Sequence, residues 1–180
     1  LDLIARHARS IHTLVLSPRY LRAETDADRQ ARSRLSACQF VCPDTVFEKL
    51  TDVEMPQGML AVVRQPRWDE AQVFNQTKVL GIYADRLQDP ANVGAIIRTA
   101  AALNLSGVWL SAKCADPFSS KVVRATAGSI LSLPVFWGRE FRTFFSYGCE
   151  MYSAVLPSAG IVPIRNIRKI PSRLVIALGN

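Results

Sequence analysis

The sequence predicts an α/β fold in which a mainly parallel sheet carries helices on both faces, preceded by a small α/β domain. Short apolar runs typical of buried strands alternate with segments of helical periodicity through residues 78–180. Such alternation is typical of a parallel sheet with helices packed on its two sides. A polar segment, 67–77, forms a predicted linker between this region and residues 1–66. With 180 residues, 49% of them hydrophobic, the chain can bury a core.

The first predicted domain, residues 1–66, holds short strand and helix patterns. Asp44 is a suitable N-cap for a helix that turns Phe47 and Leu50 inward. The predicted elements are, in order, a strand at 11–18, a helix at 25–37, a short strand at Phe40 and Val41, the helix after Asp44, and a buried strand at 58–63.

The second predicted domain, residues 78–180, contains longer elements of the same two kinds. In its first helix, Val93, Ile97 and Ala100 recur at helical spacing. Asn104 follows, and asparagine commonly replaces glycine in the left-handed cap that ends a helix. The predicted elements are strand 78–84, helix 92–103, strand 107–111, helix 119–131, strand 134–137, helix 140–147, strand 151–156 and strand 173–178.

The positive charge of the chain is concentrated in the second domain. Residues 1–77 contain ten basic and ten acidic residues, whereas residues 78–180 contain twelve basic and five acidic ones and carry the whole net charge of +7. Clustered positive charge favours a polyanion, since neutralised phosphates supply much of the affinity for nucleic acids. A merely basic soluble protein would have the same charge, so both interpretations stay open.

Cysteine use and hydropathy predict a cytoplasmic protein. Cys38, Cys42, Cys114 and Cys149 lack the paired C-x-x-C spacing of a zinc site, and we expect buried reduced thiols. No apolar run approaches the length needed to cross a bilayer, and no segment has the pattern of a signal peptide. The sequence starts with Leu1 rather than methionine, so we expect that residues are missing ahead of it.

The segment 89–100 combines a turn with the start of a helix. It follows the apolar run 79–84, and its Asp, Pro, Asn and Gly residues suit a tight strand-to-helix turn. Polar groups at the end of a central strand in an α/β sheet commonly lie at the active site. Asn92 and Arg98 are therefore candidate site residues. In the alternative interpretation, Asn92 is a simple N-cap and Arg98 is a solvated helix residue.

Three segments in order resemble the SpoU (TrmH-like) family of RNA ribose 2′-O-methyltransferases, within the knotted SPOUT superfamily. The first family motif, an Asn-x-Gly turn followed by Ile-x-Arg-Thr-Ala, is met over 92–100. The second, Lys-x-x-Arg-Ala-x-x-Gly and then Pro-Val, is met over 121–128 and 134–135. The third begins Leu-Gly-Asn-Glu-Gly and is met as far as Asn180. Any one motif is weak evidence, whereas the ordered set is specific.

The resemblance implies the fold of both domains. The second is expected to be a SpoU catalytic domain of the SPOUT α/β-knot type. Because nothing follows Asn180, we expect a chain truncated before its knot-forming C-terminus. The first domain, including the Met-Pro-Gln-Gly segment at 55–58, resembles the ribosomal-protein-L30e-like domain that binds the RNA substrate in many members of the family.

The resemblance also implies a reaction in which S-adenosylmethionine methylates a ribose 2′-OH without a metal. A guanidinium is too basic to act as a free base, so Arg98 is expected to bridge a substrate phosphate and the hydroxyl. Asn92 is expected to hydrogen-bond and orient Arg98. The cofactor-binding residues that the resemblance implies are Gly128, Leu156, Leu178, Gly179 and Asn180.

RNA is the partner that both the charge and the resemblance predict. Lys121 and Arg124 lie three residues apart on one helix face and are candidate phosphate contacts, although a solvated basic face is an equal alternative. By analogy with the family, rRNA is favoured over tRNA and a homodimer is expected. A non-catalytic RNA-binding factor, for example in ribosome assembly, is the alternative from another class.

A group of aromatic residues near the C-terminal end raises the question of base stacking. Their spacing suits the apolar side of a helix and a strand, so we predict core packing instead. The residues are Phe141, Phe144, Phe145, Tyr147 and Tyr152.

Overall fold

The computed structural model describes residues 6–179, which form two compact units. The boundary between them falls between Pro66 and Arg67. Within the described residues, none of the helices is both long and apolar enough to cross a membrane.

The first unit is built on a three-stranded sheet with β1 at its centre. The strands are β1 (Ile11–Leu16), β2 (Cys38–Val41) and β3 (Met59–Val63), in the order β2-β1-β3, with β2 parallel and β3 antiparallel to β1. Its helices are α1 (Pro18–Ala23), α2 (Asp26–Ser33) and α3 (Asp44–Leu50). The buried core consists of Ile11, Leu14, Leu16 and Leu35.

Helix α2 begins where the sequence places a reciprocal cap. The Thr25 side chain accepts a hydrogen bond from the backbone N–H of Asp28, and the Asp28 carboxylate accepts one from that of Thr25. The helix ends at Ser33, whereas the periodicity predicted a helix over 25–37. Helix α1 was missed by the sequence reasoning, although Ser17 and Pro18 form an ordinary helix start.

Three details of the first unit differ from the prediction. Pro43 occupies the N-cap position of α3, and Asp44 is the first helical residue, where its carboxylate accepts from the Arg19 N–H. Phe47 is buried as predicted, but Leu50 is 52% exposed. Strand β3 has no buried residue, which differs from the predicted buried strand; of its five residues, Met59 packs against the core.

The second unit is a five-stranded sheet in which every strand pair is parallel, in the order β6-β5-β4-β8-β7. Its strands are β4 (Val79–Asp85), β5 (Gly107–Leu110), β6 (Val135–Trp137), β7 (Glu150–Ser153) and β8 (Arg173–Gly179). Its helices are α4 (Glu70–Phe74), α5 (Pro90–Ala102), α6 (Ser120–Ala125) and α7 (Arg142–Ser146). The predicted parallel α/β fold class is confirmed for this unit.

Helices cover both faces of the second sheet. On one face, Ile82 and Val108 pack against Val93 and Ile97 of α5. On the other face, Trp109 packs against side chains of α4 and α7. Because neighbouring strands are in register, alternate residues along each strand serve the two cores.

The predicted linker over 67–77 is wrong, because this segment forms α4 and contributes to the second core. Asp69 caps the helix by accepting from the Ala71 N–H, and Val73 and Phe74 are buried. The Phe74 ring stacks on Trp109 with centroids 5.1 Å apart.

The structure confirms the predicted end of the helix at 92–103 but not that of the helix at 119–131. Asn104 adopts a left-handed φ of 52°, and the backbone N–H groups of Asn104 and Leu105 donate to Ala101 and Ala100, which confirms the cap. The helix predicted over 119–131 instead ends at Ala125. There the chain takes positive φ values at Ala127 and Gly128 and continues as a 3₁₀ turn, Ser129–Leu131.

The four cysteines are free thiols, but only two of them are buried. Cys114 and Cys149 lie in the cores of the second unit. Burial raises the pKa of the Cys149 thiol. Cys38 is exposed and Cys42 is half-buried, which corrects the prediction that all four are buried. Cys38 is exposed because β2 is an edge strand with all four residues exposed, and Cys42 follows directly after it.

Candidate active site

The candidate active site lies where β4 and β8 end side by side. Strand β4 has β5, the next strand along the chain, as its neighbour on one side, and β8 as its neighbour on the other side. Such a switch in strand order opens a crevice at the carboxyl ends of parallel strands, and ligands of α/β proteins bind there. At this edge Asp85 is the partner of Gly179 in the strand register.

Gly179 is required by the close approach of the two strand ends. A Cβ atom at this position would lie 2.7 Å from the Asp85 carbonyl oxygen and 3.1 Å from its Cβ. A larger residue would therefore push the strands apart. Gly179 is itself exposed, so its backbone is accessible at the crevice.

The turn that follows β4 is tied to the end of β5. Arg86 has a φ of 54°, its backbone N–H donates to Ser111 Oγ at 3.0 Å, and its Nε donates to Asp85 Oδ2 at 3.0 Å. Asp89 then caps α5 by accepting from the Ala91 N–H at 2.9 Å. The crevice therefore has a fixed wall made of short polar contacts.

Asn92 and Arg98 both lie on α5, and both are exposed. Because Asp89 is the N-cap, Asn92 is a residue of the first helical turn, and its simple N-cap interpretation is wrong. Six helical residues separate the two side chains by about 9 Å along the axis and about 120° around it. Within residues 6–179 they do not hydrogen-bond to each other, so the expected orientation of Arg98 by Asn92 is not formed here. The Arg98 guanidinium makes no hydrogen bond or ion pair within that range.

A close contact joins the first two sequence motifs. A Cβ atom on Gly94 of α5 would collide with the Ala125 side chain of α6 and approach its backbone to 3.0 Å. The glycine of the first motif therefore allows α6 to pack directly on α5. Lys121 and Arg124 are both exposed on α6, as a phosphate contact or a solvated basic face would require.

The predicted cofactor residues lie in three different places. Leu178 and Gly179 are together at the end of β8, and Leu178 packs on the core that α5 covers. Leu156 is 87% exposed in the segment after β7. Gly128 is left-handed, with φ 86°, and follows α6. Asn180 lies outside the described residues.

An apolar cavity of about 500 Å³ lies beside the crevice and was missed by the sequence reasoning. Its lining includes Tyr152 of β7, Ile176 of β8, and Val155, Ile161 and Ile167 of the segment between these strands. The signal that could have found it is the repeated isoleucine and valine of 161–170, which is unusual for a surface segment.

Three of the five predicted core aromatics, including Tyr147 at 38%, are instead exposed. Phe144 is fully buried, and Tyr147 stacks on Phe74 with centroids 4.1 Å apart. Phe141 and Phe145 are 46% and 55% exposed. Helix α7 is only five residues long, so its outer side is not covered by another element.

The sheet order and the polar turn define an α/β domain of the class that binds ligands at the carboxyl edge of a parallel sheet. Residues 80–180 match the SpoU rRNA Methylase family. The chain therefore belongs to that family, which confirms the resemblance found in the motifs.

Curated relatives share this region. The chain is 36% identical over 94 residues to the 23S rRNA (uridine(2479)-2′-O)-methyltransferase of Streptomyces viridochromogenes, covering 52% of this chain and 33% of the relative. It is 38% identical over 96 residues to the 23S rRNA (guanosine(2553)-2′-O)-methyltransferase RlmP of Bacillus subtilis, covering 53% and 37%. The matched regions thus span about a third of the length of these relatives.

Solved structures resemble the whole chain. An AdoMet-bound rRNA methyltransferase from Sinorhizobium meliloti superposes with a TM-score of 0.78 at 26% identity, covering 100% of this chain and 68% of that one. The SpoU methyltransferase AviRb from Streptomyces viridochromogenes, in complex with AdoMet, superposes with a TM-score of 0.76 at 22% identity, covering 98% and 68%. The second match supports the fold alone.

Proposed function

We propose that this chain provides the catalytic region of an S-adenosylmethionine-dependent RNA methyltransferase that acts on a ribose 2′-OH, with rRNA as the substrate. The observation that carries the proposal is the exposed Arg98 guanidinium, held on the helix that starts at the switch-point crevice and making no contact within residues 6–179 that would occupy it. The names of the curated relatives support the same reaction.

The described residues fit the cofactor in two respects. The apolar cavity under the segment after β7 can enclose an aromatic base, and the exposed backbone around Gly179 offers polar groups beside it. Leu178 and Gly179 would hold the cofactor at the crevice, and Leu156 and Gly128 remain further candidates. When bound, S-adenosylmethionine supplies a methyl group on a positively charged sulfur.

Arg98 acts on the hydroxyl rather than on the cofactor. A guanidinium remains protonated because its pKa is above about 12, so it does not remove the proton as a free base. Its fork of donors instead bridges a phosphate of the substrate and the ribose oxygen. The positive charge stabilises the developing alkoxide, and the proton passes to the phosphate. Asn92 stays a candidate site residue in the first turn of α5, but from that place it does not orient Arg98 of the same chain.

RNA binding draws on the basic surface of the second unit. Lys121 and Arg124 contact phosphates from α6, which packs on the helix that carries Arg98. We propose that the first unit is an L30e-like domain that binds the RNA substrate. The active form is a homodimer in the cytoplasm, by analogy with the family.

Replacing Arg98 tests the reaction. In the full chain, Arg98→Ala is expected to lower single-turnover methyl transfer to 23S rRNA by about 100-fold or more, the effect of losing one charge-stabilising donor. Arg98→Lys is expected to restore little, because an ammonium lacks the planar fork. Binding of S-adenosylmethionine, measured by calorimetry, is expected to stay near the wild-type value. Near-normal transfer by Arg98→Ala would overturn the mechanism, and RNA binding without any transfer by the wild type would favour a non-catalytic factor.

A further inference from the structure

The segment that connects β7 to β8 covers part of the same sheet face as α5. Tyr152, Ile176, Ile82 and Val108 are consecutive partners across the sheet, so their side chains lie on one face. Ile82 and Val108 belong to the core beneath α5, whereas Tyr152 and Ile176 line the cavity beneath the connecting segment. The connecting segment and α5 therefore flank the crevice from its two sides.

The part of this segment at 161–170, here called the strap, combines apolar and basic residues. Ile161 and Ile167 line the cavity beneath it. Arg165, Arg168 and Lys169 are exposed, and within residues 6–179 they form no ion pair or hydrogen bond through their side chains. Apolar residues of the strap thus face the cavity, and its three cations are exposed to solvent.

The charge around the strap has one sign. Residues 151–179 contain four basic residues and no aspartate or glutamate. Three of those four basic residues belong to the strap, and the fourth, Arg173, donates to the backbone carbonyls of Phe74, Gln76 and Tyr147. Arg173 therefore has a structural role, and the strap cations have none that the described residues provide.

We propose that Arg165, Arg168 and Lys169 form a phosphate-binding element for the RNA substrate, on the opposite side of the crevice from Arg98. This proposal rests on the proposed action on RNA. A polyanion matches three exposed cations on a segment that contains no carboxylate, because each phosphate contact releases a counterion. The contacts are to the RNA backbone, so they position the substrate and carry no sequence information.

The test compares a variant that lacks two strap charges with a control variant that lacks two charges elsewhere in the same unit. The strap variant is Arg165→Gln with Arg168→Gln. The control variant is Lys78→Gln with Arg142→Gln, since both side chains are exposed. Lys78 precedes the amino end of β4, opposite the carboxyl end where the crevice lies, and Arg142 lies on α7. Both variants change the net charge equally, so a general electrostatic effect is the same in each.

The measurement is the affinity for a 23S rRNA fragment and for poly(U) at several salt concentrations. The strap variant is expected to reduce the slope of log affinity against log salt by about 2, or about 1 for each lost phosphate contact, and the control by far less. Adding Lys169→Gln is expected to reduce it by about 1 more. Binding of S-adenosylmethionine is expected to be unchanged.

Equal slopes for the strap and control variants would overturn the proposal while leaving the proposed methyl transfer intact. Loss of binding to anionic lipid vesicles in the strap variant, with RNA binding unchanged, would overturn it in favour of a membrane surface. If the wild type itself neither binds RNA nor transfers a methyl group, the proposed function fails as well, and the two failures are thus distinguishable. Unchanged circular dichroism would show that the strap variant is folded.

Discussion

Each of the two units of this chain is stabilised internally in a different way. The second sheet is buried on both faces, by one core beneath α5 and α6 and another beneath α4 and α7. The first sheet has a single small core, and its edge strand β2 is fully exposed. Outside this core the first unit is joined by polar contacts, above all the pair in which Arg32 donates to Glu24 at 2.7 Å. The comparison teaches that the candidate active site lies on the unit whose sheet is covered on both faces.

The largest effect is expected from the second core. Trp109 is fully buried, stacks with Phe74 and Phe136, and donates to Glu70 at 2.8 Å. Trp109→Ala is expected to lower the free energy of unfolding by about 4 kcal/mol, because it removes a large ring and leaves a cavity. Chemical denaturation measures this, with Phe141→Ala on the surface as the control. A loss below that of the control would contradict the importance of this core.

A smaller and more local effect is expected from the first core. Leu14 is fully buried at the centre of β1, and Leu14→Ala is expected to cost about 3 kcal/mol. If the units are stabilised separately, faster hydrogen exchange will be confined to residues of the first unit. Hydrogen exchange followed by mass spectrometry of the intact chain checks this. Equal loss of protection in β4 and β5 would break the distinction between the two units.

The smallest effect concerns pH. The hydrogen bond from Arg32 is the main reason that the pKa of Glu24 is lowered. A lowered pKa in the folded state gives stability that is present above the ordinary glutamate pKa and is lost as pH falls through the folded value. Destabilisation of the first unit is therefore expected in acid, and Glu24→Gln is expected to remove part of that dependence.

Thermal unfolding between pH 3 and pH 7 measures the difference, with Asp26→Asn as the control because Asp26 is exposed. An identical pH dependence in Glu24→Gln and the wild type would show that this pair does not stabilise the first unit.

Local patterns in the sequence predicted most of the second sheet and the places of its motifs. The run before Asp85 and the left-handed cap at Asn104 depend on neighbouring residues only, so they were accessible without the structure. Helix α4 was missed because Val73 and Phe74 are a short apolar signal inside a polar segment, and their burial depends on distant Trp109.

The candidate site was only partly predictable for the same reason. Asn92 and Arg98 were found from a motif, and their spacing along one helix follows from the sequence, whereas the start of that helix after Asp89 came from the structure. The place of β8 between β4 and β7 is a long-range pairing that no local pattern contains. The cavity and the strap result from that pairing, so they became visible only in the folded chain.

The contact between Gly94 and Ala125 also limits which substitutions these two positions tolerate. Because there is no room for a Cβ atom on Gly94, a larger residue at either position is expected to force the two helices apart. The helix that presents Arg98 would then move relative to the helix that presents Lys121. A substitution at one of these small residues is therefore expected to need a compensating change around the other, because the packing of the two helices depends on both.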